Sequence, residues 1–173
     1  MIVALYPAAT LWNSRQQASA NAASLTATGL PLLAAELPGY RITQAGAEKP
    51  GDYITYNLVP DSAPPELTPS PTTDSAKIYV VISRAGPLFA PSAHCASATG
   101  AGPYVTLAGS PPCQPSGHGL WVQRRGNLNV VFARHGDAVV ELDADAFVTP
   151  EATVLRAAED LVPRGASDFP SGP

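Results

Sequence analysis

Two cysteines are the first residues in this chain that could do chemistry. Cys95 and Cys113 lie in one stretch rich in Gly, Pro, Ser and Ala. A loop so poor in apolar anchors gains from a covalent staple, and closing one of this size is worth ~3 kcal/mol in the chain-entropy account. Disulfides persist outside the cytosol, so a bonded pair also points to a compartment. Two other readings stand beside it: a pair of free thiols, and a metal centre made of His94, Cys95, Cys113 and His118. The spacing argues against metal, because His94 and Cys95 are adjacent and no Cys-x-x-Cys pair exists.

His118 follows Ser116 in Ser-Gly-His-Gly, and nucleophilic catalysis uses a serine beside a base with an orienting acid. No Gly-x-Ser-x-Gly elbow occurs, and glycines around a histidine also mark an ordinary loop. His135 is followed two residues later by Asp137, which reads either as an acid–base pair or as a solvated hairpin tip. No catalytic residue is assigned on these signals. His118 and His135 are retained as binding positions, and a small hydrolase using either with nearby acids is the alternative function.

Glu141, Asp143 and Asp145 alternate, so a strand would place them on one face. Three carboxylates could offer oxygen to Ca²⁺, but they are weak metal candidates, since that ion takes ~6–8 oxygens. The competing reading is a solvated strand face on which acids discourage edge pairing. Arg124 and Arg125 adjoin at a hairpin tip, where they could meet lipid phosphates or an acidic partner. Gly100-Ala101-Gly102 is followed by Pro103 rather than by a helix with Lys and Ser or Thr, so no phosphate loop is read. No cofactor is expected.

These residues must be positioned by a modest core. The chain has 173 residues, 45% hydrophobic but only 14% charged, against a usual ~25%. Proline reaches 19 residues. The balance excludes a coiled coil and a helical bundle. A net charge of −4 with only 10 Lys and Arg leaves no footprint for nucleic acid.

Along the chain, the pattern predicts a helix over 13–28, opened by Ser14 and Gln17 as a capping box and closed by Gly29. Strands are expected at 40–43, 53–59 and 76–83. Residues 60–75 read as a proline linker and 86–117 as a long loop. Segments 119–124, 127–134 and 138–143, joined at Arg125-Gly126 and His135-Gly136, should form an antiparallel meander. Thr149-Pro150-Glu151 opens a second helix with the stripe Val154, Ala157, Ala158 and Leu161. The expected fold is α+β: a single antiparallel sheet of five or six strands with an N-terminal and a C-terminal helix packed on it.

Residues 1–12 are apolar but too short to cross a bilayer, which needs ~20. They read either as the remnant of a membrane anchor or as a segment packing on the domain. The domain itself is expected over 13–163, followed by a flexible tail over 164–173.

The succession Leu37-Pro38-Gly39-Tyr40-Arg41-Ile42, the strand 76–83, Gly119-Leu120-Trp121, His135-Gly136-Asp137 and Thr149-Pro150-Glu151 through Leu161-Val162-Pro163 resembles the extracytoplasmic domains of uncharacterised actinobacterial membrane proteins and lipoproteins. Those are similar in layout to small α+β domains of the Mog1/PsbP-like type. The resemblance covers roughly residues 37–163. It implies a non-enzymatic binding or structural module, membrane-anchored or secreted, that meets an unknown protein or small-molecule ligand at the cell envelope. It carries no catalytic residue onto this chain.

Overall fold

The computed structural model describes residues 6–48, 53–63, 76–85 and 113–171, with side chains in the first helix from residue 14 onward. The fold is α+β and is mostly sheet. Its elements are α1 (Tyr6–Ala27), β1 (Leu33–Ala35), β2 (Tyr40–Glu48), β3 (Tyr53–Pro60), β4 (Ile78–Arg84), β5 (Gln114–Gly117), β6 (Leu120–Arg125), β7 (Leu128–His135), β8 (Ala138–Asp145), α2 (Glu151–Glu159) and β9 (Leu161–Pro163). A single 3₁₀ turn follows at Ala166–Asp168.

The main sheet has seven strands in the order β2-β3-β4-β8-β7-β6-β5, every pair antiparallel. It is larger than the five or six strands read from the sequence. It consists of two meanders, β2-β3-β4 and β5-β6-β7-β8, joined where β4 pairs with β8. The expected hairpins are present, their turns carried by Gly126 and Gly136 at φ +60°. A left-handed glycine at the first position of a two-residue loop matches the right-handed twist of the flanking strands. The added strands are β5, which lies in what read as loop, and the separate two-stranded ribbon of β1 and β9.

That ribbon has a clear cause. β1 follows α1 and β9 follows α2, and Leu33, Ala34 and Ala35 pair with Pro163, Val162 and Leu161. The ribbon thus clasps the ends of the two helices over the sheet. Leu161 therefore belongs to a strand rather than to the last turn of α2, which stops at Glu159. Pro150, not Thr149, occupies the N-cap position of α2, and no side chain caps it. α1 begins seven residues earlier than the capping box at Ser14 suggested, at Tyr6. Pro7 is no obstacle there, because the first helical turn has no i−4 hydrogen bond to lose. On α1, Leu25 is buried, Ala22 is half-buried and Ala18 is exposed.

Both helices pack on one face of the sheet. Leu25 from α1 and Val154, Ala157 and Ala158 from α2 meet Ile54, Tyr56, Ile78, Val80, Ile82, Val131, Val140 and Leu142 in the main core. The Tyr56 phenol is fully buried there and accepts the Ala35 N–H at 3.1 Å. Burial raises its pKa from the ordinary tyrosine value.

The C-terminal segment read as a flexible tail is docked as far as it is described. Phe169 is buried and meets Tyr56 edge-on, with ring centres 5.6 Å apart. The Ala45 N–H donates to the Pro170 carbonyl at 2.9 Å, and Ser171 forms a parallel bridge to Ala45 on the edge strand β2. Of the proline linker, residues 64–75 lie outside the described residues, as do 86–112 of the long loop.

Candidate functional site

Strand alternation sends Ile78, Val80, Val140 and Leu142 to the helix side, so their neighbours point to the opposite, outer face. That face carries Tyr79 and Val81 on β4, Val139, Glu141 and Asp143 on β8, Val130 and Phe132 on β7, and Trp121, Gln123 and Arg125 on β6. The shared face expected for Glu141 and Asp143 is real, but it is not solvated: each is 3% exposed. The reason lies in the strand order. β8 is the middle strand of seven, flanked by β4 and β7, so its acids guard no edge.

Arg125 is the organising residue. Its Nη1 donates to Glu141 Oε1 at 2.7 Å and its Nε donates to Gln123 Oε1 at 2.6 Å. Between them its guanidinium lies over Phe132, 5.4 Å from the ring centre. The side chain crosses the whole of β7 to reach β8. Weak hydration of a planar guanidinium and the negative face of an aromatic ring favour this placement. Arg125 is thus a buried structural cation, not part of an exposed basic tip. Arg124, its neighbour, is exposed and bonds Asn129 Oδ1 at 2.7 Å and the Gly126 carbonyl at 3.3 Å.

Asp143 sits beside this pair without sharing in it. It faces Tyr79 on β4 and Val130 on β7. Neither of its carboxylate oxygens has a hydrogen-bond partner, and Glu141 Oε2 also lacks one. Burial raises the pKa of both acids; for Glu141 the charge and hydrogen bond of Arg125 oppose it. Asp143 is pushed up to about 8, by burial first and by the charge of Glu141 second. Asp145, the third alternating acid, is half-buried and accepts the Phe147 N–H at 2.9 Å. Among the described residues no three His, Cys, Asp or Glu side chains converge to hold a metal ion, so the calcium reading of Glu141, Asp143 and Asp145 is not supported by geometry.

The same outer face holds Cys113, buried with Val130, Phe132 and Val139. Cys113 is disulfide-bonded, which removes the metal reading that used it as a thiolate. Cys95 and His94 lie outside the described residues.

His118 and His135 do come together, though they lie on different hairpins. With Arg134, Ala158, Glu159 and Leu161 they line a notch of about 210 Å³ at one end of the sheet. His118 occupies the two-residue turn between β5 and β6 at φ +51°, followed by Gly119 at +74°. Its Nδ1 lies 3.4 Å from Glu159 Oε1, and both side chains are largely exposed. The acid sequence reading placed beside a histidine was Asp137; the one found beside His118 comes from the end of α2, a pairing no local spacing could reveal. Ser116, also on β5, is exposed and does not line the notch.

A larger hollow of about 700 Å³ was not anticipated. It opens between the β1–β9 ribbon and the edge strand β2, with apolar walls from Leu37, Pro38, Tyr40 and Ile42. Glu36 and Arg164 form an ion pair at its rim. Its signal was weak because β1 reads as connector and Arg164 as tail. Comparison with protein-family models, with curated proteins and with solved structures finds no match to this chain.

Proposed function

We propose that this chain is a non-enzymatic extracytoplasmic domain, membrane-tethered in the full-length protein, that binds a protein or small-molecule ligand at the cell envelope or serves a structural role there. The observation that carries the binding reading is the hollow beside β2. Apolar walls with a few polar groups at the rim suit reception of a ligand. Of the charged groups that line it, Glu36 and Arg164 pair with each other and Asp168 accepts the Gly165 N–H. The buried acids of the outer face do not line this hollow. The disulfide at Cys113 supports an oxidising compartment. The resemblance read from the sequence, to envelope domains of actinobacterial membrane proteins and lipoproteins, supports the same compartment. No described helix is long and apolar enough to cross a membrane.

The compartment is tested by exposing intact cells that express a C-terminally tagged full-length protein to a protease that cannot enter them. Loss of the tag is expected, and full protection would exclude the extracytoplasmic reading. The binding site is tested with photo-crosslinkers at Ile42 in the hollow and at Arg134 outside it. Adducts are expected at Ile42, and adducts at Arg134 alone would move the site to the notch.

The second reading is a small hydrolase, and one observation favours it: His118, His135 and Glu159 share a cleft. It requires turnover of chromogenic ester or amide substrates that disappears when His118→Ala and His135→Ala are combined.

A further inference from the structure

The outer face of the central strands holds one negative group too many. Arg125 supplies one positive charge and Glu141 takes it at 2.7 Å. Asp143 is equally buried, yet no donor reaches either of its oxygens. An ionised carboxylate taken out of water costs several kcal/mol unless it is paired and hydrogen-bonded. No described cation hydrogen-bonds Asp143: Arg125 is engaged with Glu141, and Lys77 reaches neither Asp143 oxygen. β7 presents Val130, opposite it in the ladder, and Phe132 beside Glu141. β4 presents the Tyr79 phenol, with Lys77 just ahead of the strand. β6 presents Gln123 and Arg125, already bonded to each other. Its own strand adds only the acids Glu141 and Asp145. Farther along the row, Asn57 pairs with Tyr79 across β3 and β4, and its Oδ1 is buried without a partner too. Among the described residues, Asp143 Oδ1 and Oδ2, Glu141 Oε2 and Asn57 Oδ1 are buried acceptors that no donor reaches. A proton on Asp143 removes the surplus charge and leaves the cluster neutral.

We propose that the sheet is proton-latched at Asp143: the fold closes around a neutral Asp143 carboxyl at the seam between the two meanders, and ionisation of that carboxyl loosens the outer face. The device is a pH-sensitive switch. Asp143 lies on β8, which joins the two meanders through β4, so repulsion between Asp143 and Glu141 acts where the halves of the sheet meet.

The sign follows from proton linkage. The folded state holds this proton more tightly than the unfolded chain, whose aspartate titrates near ~3.9. Asp143 in the fold is pushed up to about 8. Its stabilising proton is therefore fully present below the unfolded value, and stability falls as pH rises towards about 8. Above that, both states are ionised and this group adds no further slope.

The decisive measurement is a carbon NMR titration of the aspartate carboxyls in the wild-type chain, assigned by the Asp143→Asn variant. One resonance is expected to titrate near the alkaline end of the range and to vanish in Asp143→Asn. In Glu141→Gln the same resonance should titrate at lower pH, because a neighbouring charge is gone and Arg125 is released. A merely structural Asp143 would not show that displacement. Denaturant melts from pH 5 to 8 should show falling stability for the wild type and a flatter profile for Asp143→Asn. Acrylamide quenching of Trp121, read in a Trp12→Phe background, should rise with pH through the same transition. A wild-type Asp143 resonance that titrates in the ordinary carboxylate range overturns the latch, whether or not the variants fold. So does a profile that Asp143→Asn leaves unchanged.

Discussion

Arg125 and Glu141 are joined at 2.7 Å across an intervening strand, with the ring of Phe132 beneath the guanidinium. The pair links β6 to β8 by side chains, where the backbone ladder connects these two strands only through β7. Both partners are almost wholly out of water, at 9% and 4% side-chain exposure. Their attraction must offset the cost of desolvating two charges, so what the pair confers is intolerance of losing one partner. Arg125→Met alone should destabilise the fold by about 3–5 kcal/mol, because it leaves the buried Glu141 charge unopposed, and Glu141→Leu alone should cost less, because Asp143 can then oppose Arg125. The double variant should lose far less than the sum. Urea melts of the three proteins test this; additive losses would mean that the two side chains act independently.

A second joint ties the ribbon to the sheet. Tyr56 rises from β3 into the core and accepts the backbone N–H of Ala35 on β1 at 3.1 Å. Tyr56→Phe keeps the ring and its edge contact with Phe169 but leaves that buried N–H without its acceptor. The expected loss is about 1–3 kcal/mol, the desolvation penalty of one orphaned polar group. Thermal or urea melts give the value, and amide exchange at Ala35 should speed up in the variant. Unchanged exchange would show that the N–H finds another acceptor.

The docked C-terminal segment makes a similar demand. Phe169 is 4% exposed and touches the ring of Tyr56, while the following backbone bonds to β2. Phe169→Ala should cost about 3–5 kcal/mol, as for other buried aromatic residues. Truncation after Arg164 should cost at least as much. If both variants melt with the wild type, the segment adds nothing to the core.

The β6–β7–β8 meander could be read from the sequence because three signals agreed there: alternation, length and glycine turns. β5 was not legible, because Gln114, Pro115, Ser116 and Gly117 have low strand propensity and are all exposed. What makes them a strand is three residue pairs with β6, on one side only and interrupted by a bulge at Ser116. β1 and β9 were hidden for another reason. Each is three residues long, and β9 begins two residues after α2 ends, so Leu161 continued the helical stripe by count although its backbone had already turned into the ribbon. Glu141 and Asp143 were placed on a common face correctly. Whether that face met water depended on β4 pairing with β8, a contact between distant segments that no local pattern encodes. The His118–His135 notch was invisible for the same reason.

Cys113 is buried against Val130, Phe132 and Val139, so its bond anchors the outer face. The chain contains two cysteines, and Cys95 is the expected partner. Peptide mapping of unreduced protein should recover one linked peptide containing both. Cys113→Ser should lower stability by about 2–5 kcal/mol, the usual loss when a small domain is deprived of a native disulfide. Recovery of both cysteines as free thiols from protein made under oxidising conditions would refute the pairing.

The end of α2 separates two pictures of how the fold closes. If the helix ran on to Leu161, that leucine would be a principal core residue. In the observed arrangement the helix stops at Glu159, the core position is Val154 at 0% exposure, and Leu161 is a half-buried ribbon residue. Val154→Ala removes two methyl groups from a closed site. At about 0.8 kcal/mol for each buried carbon, plus a cavity term, it should cost roughly 2–3 kcal/mol. Leu161→Ala removes more atoms but from a site already open to water, and its neighbours can relax into the hollow left behind. Its cost should therefore be no greater than that of Val154→Ala, in spite of the larger truncation. Glu159→Ala, exposed beside His118, should stay within about 0.5 kcal/mol of wild type. Denaturant melts of the three variants give the ranking. A loss at Leu161 well above that at Val154 would place the leucine in the core, and the ribbon could then not be what clasps the two helices.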